Sequence, residues 1–275
     1  MTGASVANSP KRFCDLDHSP TLIECGAMFP IRDHNPAERT PYVTYTLIAL
    51  NVFIFLVTLL TAQDERALSM LYYDYGMIPA RLTNGEGQLG ILTAMFIHAG
   101  FWHLGGNMLF LWIFGDNMED QMGHVPFLVF YLVSGVAASM AHYALAPGSP
   151  VPLVGASGAI AGVMGGYLLL FPKARVDIFL FLIIYIRIFP IPSWIMLALW
   201  FAMQIFYGVG TGTEGGVAYW AHAGGFVAGL LLTLPLWLKR GGRQFWNRTE
   251  GHPDHPDARY PMIESRFPKV TRNKI

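Results

Sequence analysis

Apolar residues run along this chain in long blocks separated by short polar segments. Tyr42 to Ala62 is almost continuously apolar over about the ~20 residues that a bilayer-spanning helix needs, and it predicts a first transmembrane helix whose polar residues are Asn51 and several threonines. Gln63 to Gly90 returns to mixed charge, with turn signals at Tyr75-Gly76 and Asn84-Gly85 and an amphipathic stretch from Leu68 to Tyr73 that can lie on a membrane surface. Further blocks predict a second span within Ile91–Gly115, a third over His124–Ala146, a fifth over Ser193–Tyr207 and a sixth over Val217–Leu238. The acidic group Asp116, Glu119 and Asp120 is expected to solvate and cap the turn after the second span. Ser134, Ser139, His142 and Tyr143 read as packing and interface residues of the third.

Between the third and fifth spans lies Val154 to Gly166, where Gly158, Gly162, Gly165 and Gly166 recur at helical spacing and form a face that a neighbouring backbone can approach closely. The apolar run from Gly158 to Phe171 has 14 residues. At ~1.5 Å per residue that is roughly 21 Å, short of the ~30 Å hydrocarbon layer. This fourth helix is therefore expected to begin below the membrane surface, with Ser157 at its N-terminus, where free N–H groups and the positive dipole end favour an anion. After it, Lys173, Arg175 and Asp177 make a charged junction. Ile178 to Ile191, with Arg187 and Pro190, reads as an interfacial or re-entrant connector.

Composition supports a polytopic membrane protein: 53% of the residues are hydrophobic and 13% charged, against roughly 25% charged in soluble domains. With 18 basic and 18 acidic residues the chain offers no basic face for nucleic acid. Cys14 and Cys25 both lie in the polar N-terminal segment, so no disulfide framework is expected, and with His18 they form too irregular a set for a metal site. No cofactor is called for. Residues 1–41 hold no signal peptide and read as a tail, with Met28 as an alternative start; 42–238 form the membrane domain, and 239–275 a second tail with little order. Of the 18 Lys and Arg, 16 fall in the two tails and the connector, leaving Arg66 and Arg81 for the other face. The positive-inside rule then makes both termini cytoplasmic, in a cell (inner) membrane, with Ser157 and His103 toward the outer face.

Two further stretches bring polar groups into apolar company. Intramembrane residues of this kind are costly and default to function. His98, His103 and Asn107 belong to the second span, and the four-residue spacing of the last two puts them on one helical face. Ala221-His222-Ala223-Gly224-Gly225-Phe226-Val227-Ala228-Gly229 lies in the sixth, where Gly225 and Gly229 form a GxxxG face suited to the glycines of the fourth and would bring His222 toward Ser157. A serine hydroxyl is a weak nucleophile until a base accepts its proton, and neutral imidazole suits that task. His103, Asn107 and the Ser157 N–H can then donate to the oxygen of a tetrahedral intermediate. No carboxylate is placed to orient His222, so the reading is a dyad.

Gly155-Ala156-Ser157-Gly158, His103-x-x-x-Asn107 and Ala221-His222-x-x-Gly225-x-x-x-Gly229, in this order of spans, resemble the rhomboid intramembrane serine proteases of the bacterial six-helix type. The resemblance covers residues 42 to 238. It implies an all-α membrane protein, a six-transmembrane-helix rhomboid bundle with a short central helix carrying the nucleophile. It also implies Ser157 as nucleophile, His222 as general base and acid, and His103 and Asn107 as oxyanion donors, with Gly155, Gly158, Gly162, Gly225 and Gly229 packing near the site. The expected reaction is cleavage of single-pass transmembrane proteins in or beside their membrane segments, with the bilayer as the other partner. The fifth span and the loop before the sixth would act as gate. The sequence departs from the family in having Ala161 where some members stack a tyrosine on the catalytic histidine, and in lacking a Trp-Arg pair of the first loop, with only Arg81 nearby. His98 matches a recurrent structural histidine of the family. Two other classes compete: a catalytically silent rhomboid-like protein that holds membrane clients, and a transporter with a histidine-lined path. Such silent relatives usually lack the serine or the histidine, and a transporter is disfavoured because no inverted repeat is visible.

Overall fold

The computed structural model describes residues 27–182, 185–211, 218–252 and 258; Cys14, His18, Cys25 and most of the Gly208–Gly216 loop lie outside them. The elements run β1 (Ala27–Asp33), α1 (Tyr42–Thr61), α2 (Glu65–Tyr75), α3 (Pro79–Thr83), α4 (Gly90–Thr93), α5 (Phe101–Met122), α6 (His124–Leu145), α7 (Ser157–Leu170), β2 (Arg175–Leu182), β3 (Tyr185–Pro192), α8 (Ser193–Thr211), α9 (Tyr219–Lys239) and α10 (Arg243–Thr249). Among the described residues, 4 helices (α1, α6, α8 and α9) are long and apolar enough to cross a membrane. With α5, whose second half carries the acidic group, and the shorter α7, they are consistent with six spans.

The centre of the bundle is α7, which packs against α5, α6, α8 and α9 and is buried at every residue from Gly158 to Tyr167. Glycine makes this possible. A Cβ on Gly229 would stand 1.9 Å from the Gly162 carbonyl oxygen, and one on Gly225 would stand 2.1 Å from that of Gly158, so α9 lies backbone against backbone on α7. On another side, a Cβ on Gly162 would meet Ser134 of α6 at 2.4 Å. In lipid, where apolar surface alone gives helices little reason to associate, such close approach supplies the dispersion contact that holds them.

Three sequence expectations are corrected. The second helix, expected within Ile91–Gly115, starts inside that range at Phe101 but runs on past Gly115 to Met122; Gly100, before it, is extended backbone. The acidic group is not solvating a turn. Glu119, 1% exposed, accepts the Val43 and Thr44 amides at 2.9 and 2.8 Å and the Thr44 hydroxyl at 2.8 Å. It thus caps α1, whose own N-cap residue Pro41 has no side-chain donor or acceptor to offer.

The third correction concerns the connector, read as an interfacial or re-entrant segment, which forms two strands, β2 and β3. Strands β2 and β3 pair antiparallel, and β1, from the segment read as a tail, completes a three-stranded sheet in the order β1-β2-β3. Asp177 fixes the N-terminal segment, taking Arg32 Nε at 2.6 Å and His34 at 2.8 Å. A run this apolar looks alike as helix or strand, and its partner lies 145 residues away. The second tail is also ordered as far as α10: Phe245 is fully buried, and Trp246 Nε1 donates to Leu169 O at 2.9 Å.

Asp33, at the end of β1, is buried beside the lower ends of α5 and α7, accepting Tyr167 O–H at 2.9 Å and Asn117 Nδ2 at 3.0 Å. Burial, and next the nearby Asp116 charge, hold its carboxyl well above the usual range. An acid whose pKa rises on folding lowers stability as pH climbs from its unfolded value, about 4, toward its folded one. Asp33→Asn is therefore expected to flatten the decline in melting temperature as pH rises above about 4, measured by thermal unfolding in detergent; an unchanged slope would refute the assignment. Gly229→Ala, by driving a methyl into the Gly162 carbonyl, is expected to cost about 3 kcal/mol or to prevent folding, read as loss of the monodisperse, folded fraction.

Candidate active site

Ser157 is the first residue of α7, and the loop before it is tied down by backbone bonds. Met77 and Leu153 exchange hydrogen bonds at 3.0 and 2.8 Å, and Gly155 N donates to Ala94 O at 2.8 Å. The long first loop therefore positions the serine. That loop is itself anchored by Arg81, which donates to the Tyr73 carbonyl and lies 4.0 Å over the Tyr73 ring, doing locally what the missing Trp-Arg pair left unexplained.

The first turn of α9 brings His222 to the serine, with Nε2 2.7 Å from Ser157 Oγ. The other ring nitrogen, Nδ1, lies 2.8 Å from Gln204 Oε1 on α8, and the Trp200 ring lies 5.8 Å away at a 35° tilt. Gln204 is the one strongly polar residue of the fifth span, Ser193–Tyr207. Nothing in spacing joins it to His222, because the two sit on different helices.

From the opposite wall, the first turns of α5 present His103 and Asn107. Ala99 N donates to His103 Nδ1 at 3.3 Å, which assigns the ring proton to Nε2. That nitrogen lies 2.7 Å from where a Cβ on Gly155 would stand. Asn107 uses one amide hydrogen on His103 O at 2.7 Å and keeps a second. His98 is buried and packs edge-on to His103 at 5.2 Å. No side chain caps the N-terminus of α7, leaving its first amides directed at the same space.

These groups face one cavity of about 620 Å³, with Ser157, His222, His103, Asn107, Trp200 and His142 in its wall. His142 is a surprise there. The sequence placed it in packing, whereas the structure puts it, 8% exposed, beside the serine cavity. Gly158, Gly162, Gly225 and Gly229 lie behind the site in the α7–α9 contact, and Gly155 in front of it.

Fold and site together define a polytopic helical membrane protein with a serine and a histidine in hydrogen-bond contact at the mouth of a short central helix. The sequence matches the rhomboid domain over residues 86–239, and the chain belongs to the rhomboid family. It is 35% identical over 224 residues to the mitochondrial rhomboid protein 1 of Saccharomyces cerevisiae, covering 78% of this chain and 57% of that one. It is 32% identical over 128 residues to the rhomboid protease GluP of Bacillus subtilis, covering 46% and 24%. The mitochondrial presenilin-associated rhomboid-like protein of Bos taurus is 28% identical over 134 residues, covering 48% and 34%. The chain thus spans between about a quarter and just over half of these relatives' lengths. Membership in this family fits an intramembrane protease or a rhomboid-like protein that has set catalysis aside.

Gly155 has φ +120°, a backbone conformation that side chains rarely adopt, and it faces His103 directly. Gly155→Ala is expected to displace the His103 ring and strain the loop at once. The variant should fold with a melting temperature lowered by about 5 °C or more, and a structure of it should show His103 moved; an unshifted ring would contradict the contact.

Proposed function

We propose that this protein is an intramembrane serine endopeptidase acting on transmembrane or membrane-adjacent segments of single-pass proteins. The observation that carries the reading is the 2.7 Å contact between Ser157 Oγ and His222 Nε2 in a cavity large enough for an extended peptide segment.

In this reading His222 Nε2 accepts the hydroxyl proton as Ser157 Oγ attacks the scissile carbonyl carbon. The resulting oxyanion takes hydrogen bonds from His103 Nε2–H, the free Asn107 N–H and the Ser157 amide. Protonated His222 then gives its proton to the leaving nitrogen, releasing the amine product and leaving an acyl ester on Ser157. Water, deprotonated by His222, attacks that ester and frees the acid product and the serine. Helix α7 favours the anionic intermediate through its dipole. Helices unwind with difficulty in lipid, since each freed backbone group needs a partner; substrates with a locally weak helix beside a small residue are the ones that can present an extended bond. Domain limits of 42–238 for the membrane part, cytoplasmic termini and an outward-facing site in a cell membrane belong to the same proposal, supported by the distribution of Lys and Arg.

The test is cleavage of a single-span reporter by purified protein in liposomes. Ser157→Ala and His222→Ala are expected to lower kcat by at least about 1,000-fold, and Asn107→Ala by about 100-fold, all with the wild-type melting temperature. Wild-type protein that binds such reporters but cuts none would move the assignment to a silent client-binding protein.

A further inference from the structure

For His222 to act as base, the lone pair must be on Nε2, so the proton of the neutral ring must be on Nδ1. That proton needs an acceptor. Its neighbour is Gln204 Oε1 at 2.8 Å, on a side chain that is 7% exposed.

An amide can turn either end to a histidine, and the two choices have opposite consequences. Turned as oxygen, it accepts Nδ1–H and leaves Nε2 bare. Turned as nitrogen, it would donate to Nδ1, move the proton to Nε2 and aim an N–H at the serine. The choice is made one turn earlier on α8, where the Trp200 carbonyl takes Gln204 Nε2 at 3.3 Å. With the NH2 group satisfied there, the oxygen is left for His222. Trp200 also lies beside the imidazole, so one helical turn of α8 supplies both a ring neighbour and the acceptor.

Ala161 offers His222 no such support from α7. We propose that Gln204 is the positioning residue of this site: it holds the Nδ1–H tautomer of His222 and its ring orientation, from α8. This rests on the dyad reading above and deepens it. Because the acceptor rides on a helix other than those bearing Ser157 and His222, the dyad is aligned only while α8 is seated against α9.

The experiment pairs kinetics with histidine ¹⁵N NMR of full-length protein in bicelles. Wild type is expected to show His222 as the Nδ1–H tautomer. Gln204→Leu is expected to give a mixture containing Nε2–H, with kcat at least about 10-fold lower and KM little changed. Gln204→Glu restores an acceptor and is expected to recover most of kcat and the Nδ1–H signal. The proposal is overturned by a wild-type Nε2–H tautomer, by Gln204→Leu with full kcat, or by a kcat loss in which the tautomer stays Nδ1–H. Failure of the dyad itself reads differently: cleavage would then persist in Ser157→Ala whatever Gln204 does.

Discussion

The contact between α7 and α9 is the constraint on which the rest of the structure depends. Helices with ordinary side chains stand ~8–10 Å apart, and two such helices could not bring a short serine and a histidine into contact near their ends. Here Gly225 and Gly229 lie on the carbonyls of Gly158 and Gly162. The two axes come close, and the first turn of each helix meets the other. The 2.7 Å distance between Ser157 and His222 is a consequence of backbone packing that begins at Gly158, next to the serine, and continues one turn deeper at Gly162.

Around this pair the chain uses separate elements for separate tasks. In the mechanism proposed above, helix α7 brings the serine and its amides, α5 the donors His103 and Asn107, α9 the imidazole and α8 its acceptor. Ser157, His222, His103 and Asn107 lie in the first turns of their helices and face the cavity, and Gln204 meets His222, so their polar atoms meet one another or the open space rather than lipid. A buried polar group without a partner is costly in an apolar medium. His103, Asn107 and Gln204 meet this demand through paired bonds: Ala99 N to His103, Asn107 to a carbonyl, and Gln204 to both Trp200 and His222.

The opposite end of the bundle is held by charge and backbone pairing instead of glycine. Glu119 closes the start of α1, Asp177 joins β1 to β2, and Asp33 reaches the Tyr167 hydroxyl near the end of α7. Through Tyr167 the sheet touches the very helix whose other end carries Ser157. Among the described residues, Arg32, Arg175 and Arg187 lie in the sheet and Arg243 and Arg248 in the docked α10, so residues that looked like tails belong to the folded body.

Much of the helical membrane architecture was legible from the chain because a bilayer imposes length and apolarity on a span, both local properties that a window of residues carries. The glycine spacing in α7 and α9 was legible for a related reason, since helical periodicity fixes which residues share a face. The strands were not, because an apolar run such as 178–191 has no periodicity that separates strand from helix, and β1 finds its partner only across the whole membrane domain. Glu119 and Gln204 were likewise visible as residues, but Glu119 was read as capping the wrong segment and Gln204 carried no role at all. A carboxylate or an amide takes its meaning from the group it faces, and that is decided by how helices distant in sequence are packed together. The sequence alone determined which segments are long and apolar and which polar side chains are set among them; only the tertiary structure decided which of those side chains meet, because hydrogen bonds act over about 3 Å and packing alone sets distances that short.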